Sequence, residues 1–186
     1  MSLVWVLGLL LFSSAAAAEN SCAEVLAEVR SLKSSLKELL CNPNDLPMHT
    51  LENGETYFFS TTHIGSVLNW YKAMQFCKSN KMDLASPKTQ EELTLLVRKS
   101  KEIDAEATWH LSATDAGRER GDFRWADGEL LPLNSSLWLA PHGIFRNFSW
   151  EEKLCVYIYP EQAEKLKVQS CIVKGHIICQ LPAKCK

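Results

Sequence analysis

Apolar residues recur at alternating intervals of three and four near the start of the chain, at Cys22, Val25, Val29, Leu32, Leu36 and Leu39. This is a heptad seam, with Cys22, Val29 and Leu36 at a positions and Val25, Leu32 and Leu39 at d positions. The residues between them, including Glu24, Ala27, Glu28, Arg30, Lys33, Lys37 and Glu38, are polar or good helix formers. Glu28 falls at g and Lys33 at the next e, a pair that meets across a parallel dimer. The pattern predicts a short coiled-coil helix that stops at Cys41-Asn42-Pro43, because Pro43 lacks the N–H a helix needs. Fewer than three heptads are marginal unaided, and an interchain disulfide from Cys22 would supply the missing stability. The alternative is a single amphipathic helix lying on its own domain.

From residue 46 the periodicity shortens. Glu55 to Ser60 reads as a strand of β-branched and aromatic residues. Ser66 is expected to cap a helix that carries Val67, Trp70, Met74 and Cys77 on one face. After an extended break over Met82 to Pro87, Thr89-Gln90-Glu91-Glu92 forms a capping box for a second helix, Gln90 to about Lys101. From Thr108 the chain alternates short strands and loops, with Trp109 and Leu111 on one side and Trp125 anchoring the next strand. Val156 to Tyr159 and Ile172 to Ile178 are the last strand candidates. Two helices, short antiparallel sheets and a long irregular stretch between Gly128 and Cys155 predict an α+β fold. A loop of that length inside a compact domain is normally functional.

Composition adds the compartment. Leu3 to Phe12 is an uncharged apolar run, followed by Ala15 to Ala18 with an A-x-A pattern at Ala16 and Ala18. This predicts a signal peptide over residues 1–18, too short to span a bilayer, and a secreted, extracellular protein with no membrane span. Residues 19–45 form the oligomerisation helix and linker, and 46–186 the domain. All seven cysteines follow the leader, as expected of disulfide chemistry in an oxidising compartment, and the odd count leaves one free or bound to another chain. A net charge of −2 with dispersed Lys and Arg argues against nucleic acid. The five histidines form no zinc spacing and no nucleophile–base motif stands out, so an enzyme is not expected.

The cysteine order Cys77, Cys155, Cys171, Cys179, with Trp109-His110-Leu111-Ser112 and Trp125-Ala126-Asp127-Gly128 between them, resembles the C-type lectin-like domain over residues 46 to 182. Lys81 to Glu92 and Trp109 to Asp115 look most like the secreted single-domain lectins of arthropods. The resemblance implies disulfides Cys77–Cys179 and Cys155–Cys171. The first closes a loop of about a hundred residues, worth roughly 4–5 kcal/mol by chain entropy. Cys41 and Cys185 flank the domain, and since the family's termini adjoin they are expected to pair. Cys22 is left for an interchain bond, to a second copy or to a paralogous chain.

Sugar-binding members of that family hold Ca²⁺ with a Glu-Pro-Asn or Gln-Pro-Asp triplet, a Glu shortly before the cysteine that matches Cys155 and an Asn-Asp pair just before the one that matches Cys171, because Ca²⁺ takes 6–8 hard oxygen ligands. Here Ala140-Pro141-His142 stands at the triplet, Lys153 before Cys155, and Lys167-Val168 at the Asn-Asp position. Lysines at ligand positions repel a dication, so calcium is not expected and no cofactor is assigned. The loop instead carries His142, Phe145, Arg146, Phe148 and Trp150, the composition of protein-interface anchors or of residues packing the loop onto its own domain. Asn134-Ser135-Ser136 and Asn147-Phe148-Ser149 are glycosylation acceptors at Asn134 and Asn147. Arg120-Gly121-Asp122 matches an integrin-binding triplet, although Gly121 serves simply as a turn residue. The expected function is that of a lectin-like protein that binds a protein or glycan partner in extracellular immunity or reproductive fluid without the usual calcium site. The alternative is an active carbohydrate-binding lectin with a divergent, calcium-assisted site built from Glu151, Glu152, Glu161 or Glu164.

Overall fold

The computed structural model describes residues 22–36, 41, 43, 45–63, 67–139, 148–182 and 185. They fall into two units, Met1–Asn42 and Pro43–Lys186. In the first, residues 22–36 form helix α1, whose Val25, Val29, Leu32 and Leu36 are all exposed. The seam position Leu39 lies outside the described residues. No described helix is long and apolar enough to cross a membrane.

The second unit is built around its last strand. Its elements are β1 (Met48–Thr50), β2 (Thr56–Phe59), β3 (Leu68–Asn69), α2 (Trp70–Ser79), β4 (Asp83–Leu84), α3 (Gln90–Ile103), β5 (Trp109–Thr114), β6 (Leu154–Ile158), β7 (Lys167–Ser170) and β8 (Lys174–Gln180). The strands run in the order β1-β2-β8-β5-β6-β7, with β3 and β4 also bonded to β8. The β5–β8 pair is parallel, Trp109 facing His176, and the other pairs are antiparallel.

Side chains alternate across this sheet, as a pleat requires, and both faces are buried. Tyr57 and Phe59 on β2, with Ile178 on β8, join a cluster containing Leu93, Leu96, Trp109 and Phe123. Phe58, Ile177 and Cys179 point the other way, into a cluster with Trp70, Met82 and Leu84. Two disulfides lie in this second cluster. Cys77–Cys179 links α2 to β8 across 102 residues, and Cys155–Cys171 spans 16. Cys41 and Cys185 are each disulfide-bonded, and Cys22 is a free, exposed thiol.

The helices differ instructively from expectation. The capping box of α3 is present: Thr89 Oγ1 accepts the Glu92 N–H and Glu92 Oε2 accepts the Thr89 N–H, both at 3.1 Å. That helix runs two residues past its expected end, to Ile103. For α2 the start moves. Leu68 and Asn69 pair with Gly175 and Lys174 of β8, so the backbone stays extended until Asn69, whose Oδ1 caps the helix by accepting the Lys72 N–H at 3.0 Å. Ser66 lies outside the described residues. The buried face is accordingly Trp70, Ala73 and Cys77, while Val67 and Met74 are exposed. Gly175 is required where β8 crosses Thr108, since a Cβ there would meet Thr108 Oγ1 at 2.7 Å and its carbonyl oxygen at 2.8 Å.

Candidate functional site

The segment between β5 and β6 carries the long loop, and side chains rather than a ladder hold its described ends. Asp115, fully buried after β5, accepts the Leu154 N–H at 2.8 Å through Oδ1 and the Gly121 N–H at 3.3 Å through Oδ2. Gly121 has a φ of +88°, which the tight turn demands. Arg120 then reaches across to the far end of the loop. Its Nη1 donates to the Ser149 carbonyl at 2.5 Å and the Glu152 carbonyl at 3.4 Å, and its Nη2 to the Phe148 carbonyl at 3.4 Å. The same guanidinium lies 5.4 Å from the centre of the Trp150 ring. Asp122 accepts from Arg124 Nε at 2.9 Å. The Arg120-Gly121-Asp122 triplet thus works as a loop clasp, each residue taking a role within the fold.

Among the loop candidates, Phe148 is half-buried and packs against the first core cluster, whereas Trp150 is 85% exposed. His142, Phe145, Arg146 and Asn147, with Ala140 and Pro141, lie outside the described residues. Asn134 is exposed. Trp138 is a core residue, donating its indole N–H to the Pro132 carbonyl at 2.8 Å and lying 5.4 Å from Phe123.

The residues at the positions expected from the sequence to correspond to calcium ligands are placed as follows. Lys153 donates from Nζ to the Arg118 carbonyl at 3.3 Å. Lys167 opens β7 with its ammonium on Gln162 Oε1, 5.9 Å from the Tyr159 ring centre. Val168 packs against the first core cluster. Of the nearby carboxylates, Glu161 accepts the Tyr159 hydroxyl at 3.2 Å and Glu164 the Thr94 hydroxyl at 2.7 Å, the latter tying the approach to β7 onto α3. Glu151 is exposed and Glu152 half-buried. Among the described residues no three His, Cys, Asp or Glu side chains gather in a way that would hold a metal ion.

Sequence spacing gives no hint of two buried polar groups. Ser60 Oγ accepts the Ile177 N–H at 2.9 Å and shares a hydrogen bond with His176 Nδ1 at 3.0 Å. His176 Nε2 faces Asp104 Oδ2 at 3.8 Å. These are the residue types of a hydrolytic triad, drawn from positions more than a hundred apart. Ser60 is wholly buried, however, with a backbone N–H on its oxygen, and no substrate carbonyl can reach it. The other is His110. It is buried in β5 and donates from Nε2 to the Leu68 carbonyl at 3.1 Å, and burial pushes its pKa down to about 4, so the ring is neutral.

Residues 66–181 match the model of the lectin C-type domain, and the chain belongs to that family. Its fold is in general a binding domain rather than a catalytic one. Over 88 residues the chain is 35% identical to human "C-type lectin domain family 4 member F", and over 76 residues 38% identical to the rat protein of that name. These stretches cover 47% and 41% of this chain but 13% and 12% of the relatives, about an eighth of their length. Among solved structures, TC14, a C-type lectin from the tunicate Polyandrocarpa misakiensis, has a TM-score of 0.55 at 23% identity, covering 67% of this chain and 94% of that one. The C-type lectin CEL-I from Cucumaria echinata has a TM-score of 0.55 at 19% identity, covering 74% and 97%. The trimeric Kupffer cell C-type lectin receptor Clec4f has a TM-score of 0.53 at 23% identity, covering 85% and 94%. At these identities the likeness to solved structures is one of fold.

Proposed function

We propose that this chain is a secreted, extracellular member of the family, of the single-domain kind found in arthropods, that binds a protein or glycan partner without the usual calcium-dependent sugar site. The observation that carries this is the pair of ammonium groups. Lys167 stands where a ligand amide belongs, anchored by Gln162 and Tyr159, and Lys153 stands before Cys155. Two fixed cations disfavour a bare dication electrostatically, and neither offers it an oxygen. The test is calorimetric titration of the protein with calcium chloride, alongside a glycan array run with and without chelator. No heat of binding and a chelator-insensitive array are expected. A one-site isotherm tighter than about 1 mM, the range of extracellular calcium modules, would overturn the proposal. It would promote the active-lectin alternative, for which Glu151 and Glu152 are the freest carboxylates, Glu161 and Glu164 being engaged by Tyr159 and Thr94.

The contact surface we propose is the loop end around Trp150. An exposed indole on a clasped backbone has the character of an interface anchor, with little ordering left to lose on binding. His142, Phe145 and Arg146 are proposed to extend it, with Phe148 as its packed base and Asn134 and Asn147 as glycan acceptors. Trp150→Ala is expected to abolish partner capture from native extracellular fluid while leaving the melting temperature unchanged.

Assembly follows from α1. Its apolar seam is exposed along its described length and headed by the free thiol of Cys22. We propose a disulfide-linked dimer with a second copy or a paralogous chain. On a non-reducing gel Cys22→Ser is expected to run as monomer. A covalent dimer that persists in that variant, or a trimer like the one named for the Kupffer cell receptor, would overturn this arrangement.

A further inference from the structure

Between α2 and the turns that follow β5, and sharing only Lys153 with the proposals above, the fold leaves a groove of about 510 Å³. That volume falls within the roughly 300–1,000 Å³ of small-molecule sites. Its floor is apolar and already satisfied. Trp70 donates its indole N–H to the Leu111 carbonyl at 2.8 Å, and Ser112 Oγ is engaged by Ser86 Oγ at 2.7 Å and the Ala126 N–H at 3.1 Å. Leu84 and Trp125 are buried beside them, and the exposed Tyr71 and Met74 form one wall. No polar group on this floor asks for a partner, so the occupant it suits is hydrophobic.

The rim adds a sign. Lys78, Arg118, Arg124 and Lys153 line the groove against a single carboxylate, Asp83. Lys78 pairs with Asp83, and Arg124 with Asp122. Arg118 and Lys153 donate instead to backbone carbonyls, Arg118 to Ala116 at 3.5 Å and Lys153 to Arg118 at 3.3 Å. Neither has a carboxylate within ion-pair range among the described residues. Two charges remain without a counter-ion at the mouth of an aromatic groove, on a chain whose net charge is −2.

We propose that this groove binds a free small anionic amphiphile, with its flat or aliphatic body on Trp70, Tyr71, Met74 and Trp125 and its carboxylate or sulfonate head between Arg118 and Lys153. Charge selects the ligand here and apolar burial holds it, since a charge-assisted hydrogen bond is worth more than a neutral one while a neutral ligand of the same shape would gain only the floor.

The test uses the full chain and two fluorescent probes of one shape, anilinonaphthalene sulfonate and its uncharged analogue N-phenylnaphthylamine. Saturable one-site binding of the sulfonate is expected, with the neutral probe at least about tenfold weaker, the ratio expected of one charge-assisted contact. Arg118→Gln with Lys153→Gln is expected to remove that preference and leave the neutral probe unaffected. Met74→Glu, an exposed position that tolerates charge, is expected to abolish sulfonate binding with the melting temperature intact. Laurate is expected to displace the sulfonate. Equal affinity for the two probes would mean an apolar patch only and would overturn the proposal. So would undiminished sulfonate binding in the double variant or in Met74→Glu, no displacement by laurate, or the absence of saturable binding.

Discussion

The half of the domain gathered around β8 and the half between residues 115 and 153 keep their shapes by different means. Around β8 the order is a backbone ladder, with β2, β3, β4 and β5 all bonded to one strand and a disulfide fastening α2 to it. In the other half few ladder bonds exist. The described segments are held by Asp115 on Leu154 and Gly121, Arg120 on three carbonyls, and Trp138 on Pro132. A ladder survives most changes of side chain, because every residue brings its own N–H and C=O. A clasp made by one guanidinium fails with one substitution. The loop end at 148–152 can therefore be reshaped by few mutations, whereas Phe123, Trp125, Leu131, Leu137 and Trp138 of the same half belong to the core and cannot.

The contrast can be broken most severely at the scaffold. Cys77→Ser with Cys179→Ser is expected to cost about 4–5 kcal/mol, against about 3 kcal/mol for the Cys155 and Cys171 pair, by the lengths of the loops they close. Denaturant melts of both double variants measure the difference, and equal losses would contradict it. Next comes His110. Its folded pKa of about 4 lies below the ordinary value of 6.5, so the unfolded chain takes up the extra proton between them. Stability from this residue is complete above pH 6.5 and lost as pH falls towards 4, by about 3 kcal/mol in total. His110→Gln keeps a donor for the Leu68 carbonyl and is expected to flatten that part of the pH–stability curve.

Arg120→Ala tests the loop half. It is expected to raise amide exchange of residues 148–152 at least tenfold while lowering global stability by only about 1–2 kcal/mol. Arg120→Lys should rescue little, since an ammonium cannot fork to several carbonyls. Lys81→Gly is expected to have the smallest effect. Lys81, two residues beyond the end of α2, has a φ of +60°, and glycine there should stabilise the scaffold by at most about 1 kcal/mol in the same melts.

What was legible in the sequence follows the same division. The α3 capping box lies within four consecutive residues, and it formed where Thr89 and Glu92 placed it. The start of α2 differs from the local pattern because Leu68 and Asn69 are claimed by β8, over a hundred residues later, a tertiary pairing that no local pattern announces. Trp109 and Leu111, expected on one side of a strand, are both buried in the core. The split between a packed Phe148 and an exposed Trp150 was not legible, since it depends on where Arg120 reaches. Ser60 meeting His176, and Arg118 and Lys153 flanking a groove floored by Trp70, are likewise products of folding that no spacing rule contains.

The position of β8 sets a schedule for synthesis. Among the described strands it is the last to leave the ribosome, yet β2, β3, β4 and β5 all wait for it. At about 5–20 residues per second, Cys77 emerges several seconds before Cys179, 102 residues behind it. Throughout that interval its thiol and the unpaired edges of the earlier strands have only wrong partners available. Whatever cell makes this protein must shield a domain whose earlier strands are all synthesised but which is still far from complete in structure, and must correct any premature disulfide once β8 arrives.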